Sequence, residues 1–415
     1  MNLHAWFSLA VRSTWALRMA IDYFGSPSCF RARDKPNIGR EGLIVNPFFF
    51  RKQKSQTSLG AIAAVALCLV AFLSLAASPN PQPASPEAST LRQVAEARHI
   101  VIGTAAASFL LGEAEYASIL GSEFSQLQAE NEMKFGAIHP RPDTDPNPYN
   151  FAGGDALVAF AQSHNMVVRG HTLLWHNNVP EWLKKGGYTS AQMATILQGH
   201  IHSVMTHYAS KVYAWDVVNE AFNDDGTMRS TLWYDQPGIG AGVGTKYIEQ
   251  SLRWAREADP KAKLFYNDYD AEEINRKSDA IYAMAKDFKK RGIPLDGVGF
   301  QTHITPKFDD PAKLKSYKEN LERFAKLGLE LHMTEIDVRL SNGDTSSLAE
   351  EGKLYGEITK LCVEQPACKV IQTWGFTDKH SWIPGFYKGL GWALPWDDNY
   401  QKKPAYEAMH DALAK

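Results

Sequence analysis

Eight short β-rich runs recur between Leu91 and Lys415, and an amphipathic helical stretch parts each from the next. The runs are HIVIGTA (99–105), SEFSQLQAE (122–130), MVVRGHTLLW (166–175), KVYAWDVVNE (211–220), AKLFYNDY (262–269), GVGFQTHI (297–304), LELHMTEIDV (329–338) and KVIQTWGF (369–376). Helical patterns such as SDAIYAMAKDFKKRG and PAKLKSYKENLERFAKLG lie between them, each stopped by a glycine, as helix ends often are. Strand and helix alternating eight times without an internal linker predict one α/β domain, a (β/α)8 barrel. A doubly wound open sheet is the competitor. It would carry a Gly-rich turn after its first strand, where HIVIGTAAAS has only Gly103. The run GIGAGVG (238–244) spells no phosphate-binding pattern and reads as a mobile loop after the fourth strand.

Charge divides the chain. Overall, 44 Lys and Arg face 46 Asp and Glu, which argues against a general nucleic-acid binder. Residues 1–77 hold nine basic and three acidic residues, so the remainder is net negative by eight. Residues 1–58 form a basic extension without a hydrophobic period. Residues 59–77, LGAIAAVALCLVAFLSLAA, carry no charge and follow Arg51, Lys52 and Lys54. A basic flank, an apolar stretch and small residues at its end describe a secretory signal. The stretch is also long enough to span a bilayer, so a membrane tether is the alternative to a cleaved signal. Residues 78–90 form a Pro/Ser-rich linker, and 91–415 form the folded domain. The expected location is secreted or extracytoplasmic, or anchored by 59–77. In an oxidising compartment the loop between Cys362 and Cys368 can close as a disulfide; two separate buried thiols are the other reading.

In a barrel, chemistry sits at the C-terminal ends of the strands. Here those ends are crowded with Glu130, Asn131, His171, Trp175, Asn219, Glu220, Asp268, Tyr269, Gln301, His303, Glu335, Asp337 and Trp374. So many polar groups closing apolar strands are wasteful for stability alone. Glu220 ends the fourth run and Glu335 lies in the seventh. Strands four and seven face each other across a barrel, so both carboxylates can point into one cleft. Glycoside hydrolysis needs such a pair: one protonates the departing oxygen, and the other attacks the anomeric carbon or activates water.

From about residue 91 to 415 the chain resembles glycoside hydrolase family 10, the endo-β-1,4-xylanases. The matching stretches are AENEMKF, GHTLLWHNNVPEW, WDVVNEAF, GVGFQTHI, MTEIDVR and WGFTDKHSW, in order along the whole domain. The resemblance implies a retaining mechanism without cofactor or metal. It implies Glu220 as acid/base, protonated at neutral pH because the two carboxylates repel, and Glu335 as nucleophile. His303 would bear on the nucleophile and line the cleft, with Asp337 orienting its imidazole. Glu130, Asn131 and Lys134 would bind hydroxyls on the non-reducing side. His171 and Asn219 would hold the sugar at the cleavage point, and Gln301 would line the same floor. Trp175, Trp374 and Trp382 would offer stacking faces, core packing being the plain alternative for each.

The implied partners are xylan and xylo-oligosaccharides, with no nucleic acid and no protein partner. Departures from the family pattern are Asn178 where Gln is usual, Ile383 where Arg is common and His380 where Asp is common. Asn178 is shorter than Gln and would reach a sugar through water. The histidines of QGHIHSVMTHYAS (His200, His202, His207) lack a zinc pattern and read as surface or packing residues. Two rival readings stay open: another retaining β-glycanase on the same barrel, and a barrel that binds carbohydrate without cleaving it.

Overall fold

Each of the eight β-rich runs yields a strand, and the strands close on themselves. In the computed structural model, which describes residues 89–235, 237–240 and 242–415, they are β1 (Val101–Ala106), β2 (Gln126–Ala129), β3 (Val167–Trp175), β4 (Ala214–Asn219), β5 (Lys263–Asp268), β6 (Gly297–Phe300), β7 (Glu330–Val338) and β8 (Cys368–Thr373). Neighbours in sequence pair in parallel, and β8 returns to β1 through Val101↔Val370. This is the closed (β/α)8 barrel. The basic extension 1–58, the apolar segment 59–77, Cys29, Cys68 and the linker up to residue 88 lie outside the described residues. Among the described residues no helix is long and apolar enough to cross a membrane.

A parallel barrel is covered outside by helices, so its strands are buried on both faces. All six residues of β4 and eight of nine in β7 are buried accordingly. The cover is α2 (Ala114–Glu123), α3 (Ala152–Ser163), α4 (Ser190–His207), α5 (Lys246–Ala258), α6 (Arg276–Arg291), α7 (Pro311–Ala325), α8 (Leu348–Glu364) and α9 (Pro404–Ala414), preceded by α1 (Leu91–Ala97). Local chemistry sets several helix ends. Asn275 and Ser278 cap the start of α6 reciprocally, and Gly292 ends it at φ +68°, where a Cβ would be strained. Pro311 opens α7 at a position that needs no N–H.

Two runs differ from the sequence reading. Ser122 and Glu123 belong to α2, because the Glu123 carboxylate turns inward to accept from Leu91 N at 2.8 Å and Tyr406 OH at 3.1 Å. The run 297–304 is interrupted at Gln301–Thr302, and a two-residue strand resumes at His303–Ile304. The glycine-rich connection from β4 to α5 holds Gly240, Gly242 and Gly244 at φ +82°, +72° and +53°.

The barrel interior is polar. Gln126, Gln128, Arg169, Asp216, His332 and Gln372 are all fully buried. Arg169 forks onto both oxygens of Asp216, lies 2.6 Å from His332 Nδ1, and rests its guanidinium over Phe265 at 4.6 Å. A buried ion pair must satisfy its remaining donors and acceptors to offset its desolvation. Asp216 does so by also bonding Nδ1 of His171 at 3.0 Å, which links the core to the strand ends above it.

Cys362, near the end of α8, is bonded to Cys368, the first residue of β8, with their Cα atoms 5.2 Å apart. A loop this short restricts the unfolded chain modestly, by about 2 kcal/mol. Reduction should therefore lower the melting temperature by only about 3 °C in a domain of this size. Calorimetry with and without dithiothreitol measures it, and freely alkylatable thiols in protein purified without reductant would contradict the bond.

Candidate active site

Glu220 follows β4 directly and takes φ +57°. A side chain in that region costs on the order of 1–3 kcal/mol unless its surroundings hold it. Here the amide donates to Asn267 O at 2.9 Å, and the carbonyl accepts from Arg229 Nε at 3.0 Å. The carboxylate accepts from Trp175 Nε1 at 2.8 Å, Gln301 Nε2 at 3.0 Å and Asn219 Nδ2 at 3.1 Å. Nδ1 of His176 is 3.7 Å away.

Glu335 stands in β7. Its Oε1 accepts from Asn267 Nδ2 at 2.8 Å, and its Oε2 lies 3.2 Å from His303 Nε2. The other ring nitrogen of His303 meets Asp337 Oδ2 at 2.7 Å, and that oxygen also accepts from Trp382 Nε1 at 3.0 Å. Amides join the two glutamates. Asn267 Nδ2 also reaches Asn219 Oδ1 at 2.9 Å, Thr334 Oγ1 fixes Asn267 Oδ1 at 2.7 Å, and Gln301 Nε2 lies 3.3 Å from Asn219 Oδ1. Glu220 and Glu335 are 9% and 4% exposed, so two carboxylates are held in a nearly dry cleft by a shared set of donors.

Burial alone would discharge His303. The Asp337 carboxylate beside it, and then Glu335, outweigh burial and push it up to about 10. At neutral pH it is an imidazolium donating to both acids. Burial likewise pushes Glu220 up, but nearby His176, the hydrogen bonds from Gln301 and Trp175, and the charge of Arg229 bring it below the ordinary carboxylate value. His176 is itself pushed down to about 4 by burial, so at neutral pH it carries no charge and the hold on Glu220 falls to Gln301, Trp175 and Arg229. The proton on Glu220 is therefore set by a balance: burial favours it, and the hydrogen bonds from Gln301 and Trp175 and the charge of Arg229 oppose it.

Beyond the acids, Lys134 Nζ bonds Asn131 Oδ1 at 2.9 Å, and Asn131 Nδ2 reaches Glu130 Oε1 at 3.3 Å. The ammonium lies 5.0 Å from the ring centre of Trp175 and 5.5 Å from that of Trp374, a cation–π cradle. Burial pushes Lys134 down, against the charges of Glu130, Glu335 and Glu220. Trp374 meets the His171 ring edge-on at 5.2 Å, and Trp382 meets His303 likewise at 5.1 Å.

Each sequence-derived site residue thus lies in one connected cluster, with two changes of emphasis. Trp175 and Trp382 direct their indole N–H groups at Glu220 and Asp337. Asp268, named with the strand-end groups, turns instead to Lys277 at 2.9 Å. Its neighbour Asn267 joins the glutamates, and sequence reasoning missed it together with His176, Asp216, Arg229 and Thr334. In a strand, adjacent residues point to opposite faces, so only parity separates Asn267 from Asp268. At the departures, Asn178 accepts Gly136 N on its carbonyl at 2.7 Å, Ile383 is buried with Ala393 and Leu394, and His380 pairs with Glu113 at 2.9 Å. His200 stacks on Phe135 at 3.7 Å, and His207 bonds Asp155 at 2.7 Å. Among the described residues no group of three or more His, Cys, Asp or Glu side chains is arranged to hold a metal ion.

The sequence model described as glycosyl hydrolase family 10 matches residues 90–412. The chain belongs to this family. Among family 10 relatives, endo-1,4-beta-xylanase B of Thermotoga neapolitana is 43% identical over 328 residues, 78% of this chain and 91% of that protein. Endo-1,4-beta-xylanase A of Phanerodontia chrysosporium is 36% identical over 352 residues, covering 81% and 83%. The crystal structure of xylanase 10B from Thermotoga petrophila RKU-1 in complex with xylobiose superposes with a TM-score of 0.74 at 43% identity, covering 79% of this chain and 98% of that one.

Proposed function

We propose that this family 10 chain is a retaining endo-β-1,4-xylanase in which Glu335 is the nucleophile and Glu220 the acid/base. The observation that carries the reading is the asymmetry of one amide-linked carboxylate pair. Glu335 sits against the His303 imidazolium, a positive partner 3.2 Å from its Oε2 that orients the carboxylate for attack. The Glu220 carboxylate has no cation at hydrogen-bonding distance and is held by neutral donors, Arg229 reaching only the backbone carbonyl. A glycan settling over it deepens its burial, the influence that favours its protonated form.

Glu335 then attacks the anomeric carbon while Glu220 protonates the leaving oxygen, giving a glycosyl-enzyme. Glu220, now a base, takes a proton from water, and the water releases the sugar with its configuration retained. In this reading His171 and Asn219 hold the reacting sugar. Glu130, Asn131 and Lys134 hold its neighbour on the non-reducing side, and Gln301, Trp374 and Trp382 line the floor and walls. No cofactor enters. Names of relatives that act on xylan, and the xylobiose complex of a 43% identical structure, support the substrate class. The charge-free segment 59–77 supports export or a membrane tether, and the Cys362–Cys368 bond is in keeping with an oxidising compartment.

Xylan, mixed-linkage β-glucan and cellulose should be digested side by side with EDTA present. Short xylo-oligosaccharides from xylan, first released as the β-anomer, are expected. Equal cleavage of the glucans would favour a broader β-glycanase, and tight binding without products a non-catalytic barrel. Activity lost to EDTA and restored by a metal would overturn the cofactor-free mechanism.

A further inference from the structure

Between β6 and the strand His303–Ile304 the chain passes through Thr302 at φ +65°, a region that a β-branched residue rarely enters. The register shows the consequence. Phe300 pairs with Met333 and His303 with Asp337, so three steps on one side match four on the other. The shift is taken up at Gln301–Thr302 and sets His303 opposite Asp337. The residues on either side of Thr302 serve different acids: Gln301 donates to Glu220, and His303 bonds Glu335.

Two side chains grip this turn from outside the cleft. The Thr302 amide donates to Glu272 Oε1 at 2.7 Å, and Thr302 Oγ1 lies 3.1 Å from the hydroxyl of Tyr317 in α7. Glu272 is 3% exposed and Tyr317 fully buried. Glu272 is anchored in turn, since Asn320 of α7 donates from Nδ2 to Ala271 O at 2.7 Å and to Glu272 O at 2.8 Å. The path from the helical shell to both glutamates is therefore continuous: α7, Glu272, Thr302, then Gln301 on one side and His303 on the other.

We infer that Glu272, seconded by Tyr317, is a positioning residue for the reaction: it holds Thr302 left-handed so that Gln301 and His303 set the two catalytic carboxylates at their working separation. The inference rests on the hydrolase reading of the same site. What Glu272 supplies is an acceptor for one N–H. Burial, with the charge of Asp270, pushes its carboxyl up to about 7, so a neutral amide of the same shape reproduces that acceptor closely.

The test compares Glu272→Ala, Glu272→Gln and Tyr317→Phe on an aryl xylobioside, well below each variant's melting temperature. Small misplacements of reacting groups cost on the order of 100-fold in rate, so Glu272→Ala should lose about 30-fold in kcat with KM within about 2-fold of wild type. Glu272→Gln should stay within about 3-fold of wild type, and Tyr317→Phe should lose about 3-fold or more in kcat. Should Glu272→Ala fail to fold, Glu272→Gln and Tyr317→Phe still decide. Unchanged kcat in Glu272→Ala or Tyr317→Phe, a loss confined to KM, or Glu272→Gln as slow as Glu272→Ala would overturn the inference. An inactive wild-type protein would instead sink the hydrolase reading.

Discussion

Glu335→Ala is expected to lower xylan hydrolysis by about five orders of magnitude, the scale on which loss of a covalent nucleophile is felt. No other carboxylate can replace it, because Asp337 is committed to His303 and the Trp382 indole. The fold should survive. Asn267 keeps its bond to Asn219, Thr334 keeps its bond to Asn267, and His303 keeps Asp337. The variant also relieves the crowding of two negative charges in one nearly dry cleft. Rate measurements on xylan, paired with a melting curve, separate the two outcomes. Residual activity above about one per cent of wild type in a folded Glu335→Ala protein would show that another group attacks the sugar.

The barrel was legible because every strand after β1 announces itself twice, by its β-rich run and by the polar or aromatic side chains at its end. The strand-end rule also located both glutamates, since a carboxylate that closes an apolar strand has little structural reason to be there. What escaped the sequence was parity and backbone twist. Asn267 and Asp268 are neighbours of similar size, yet one joins the glutamates and the other pairs with Lys277. Thr302 gives no local sign of its left-handed conformation, because its holders, Glu272 and Tyr317, are 30 positions before it and 15 after it. The balance that sets the proton on Glu220 escaped for a similar reason. A pair of carboxylates suggests mutual repulsion, whereas the groups that oppose a proton on Glu220 are scattered along the chain: Trp175 ends β3, Gln301 follows β6, and Arg229 lies nine residues beyond Glu220.

Glu220→Ala should fail differently from Glu335→Ala, and the difference identifies the roles. On xylan, whose leaving sugar needs a proton, the loss should be about 1,000-fold or more. A dinitrophenyl xylobioside leaves without that proton, so formation of the glycosyl-enzyme should stay near the wild-type rate. Its hydrolysis lacks a base, so intermediate accumulates, kcat falls and KM falls with it. Azide is an anionic nucleophile that needs no base. In Glu220→Ala it should attack the glycosyl-enzyme from the face the aglycone left and give a β-configured xylosyl azide. In Glu335→Ala it should enter the space of the missing carboxylate, on the opposite face, and give the α product. Proton NMR of the azide distinguishes the anomers. The same anomer from both variants, or an equally complete loss of the dinitrophenyl substrate in Glu220→Ala, would mean that the two glutamates do not divide the chemistry in this way.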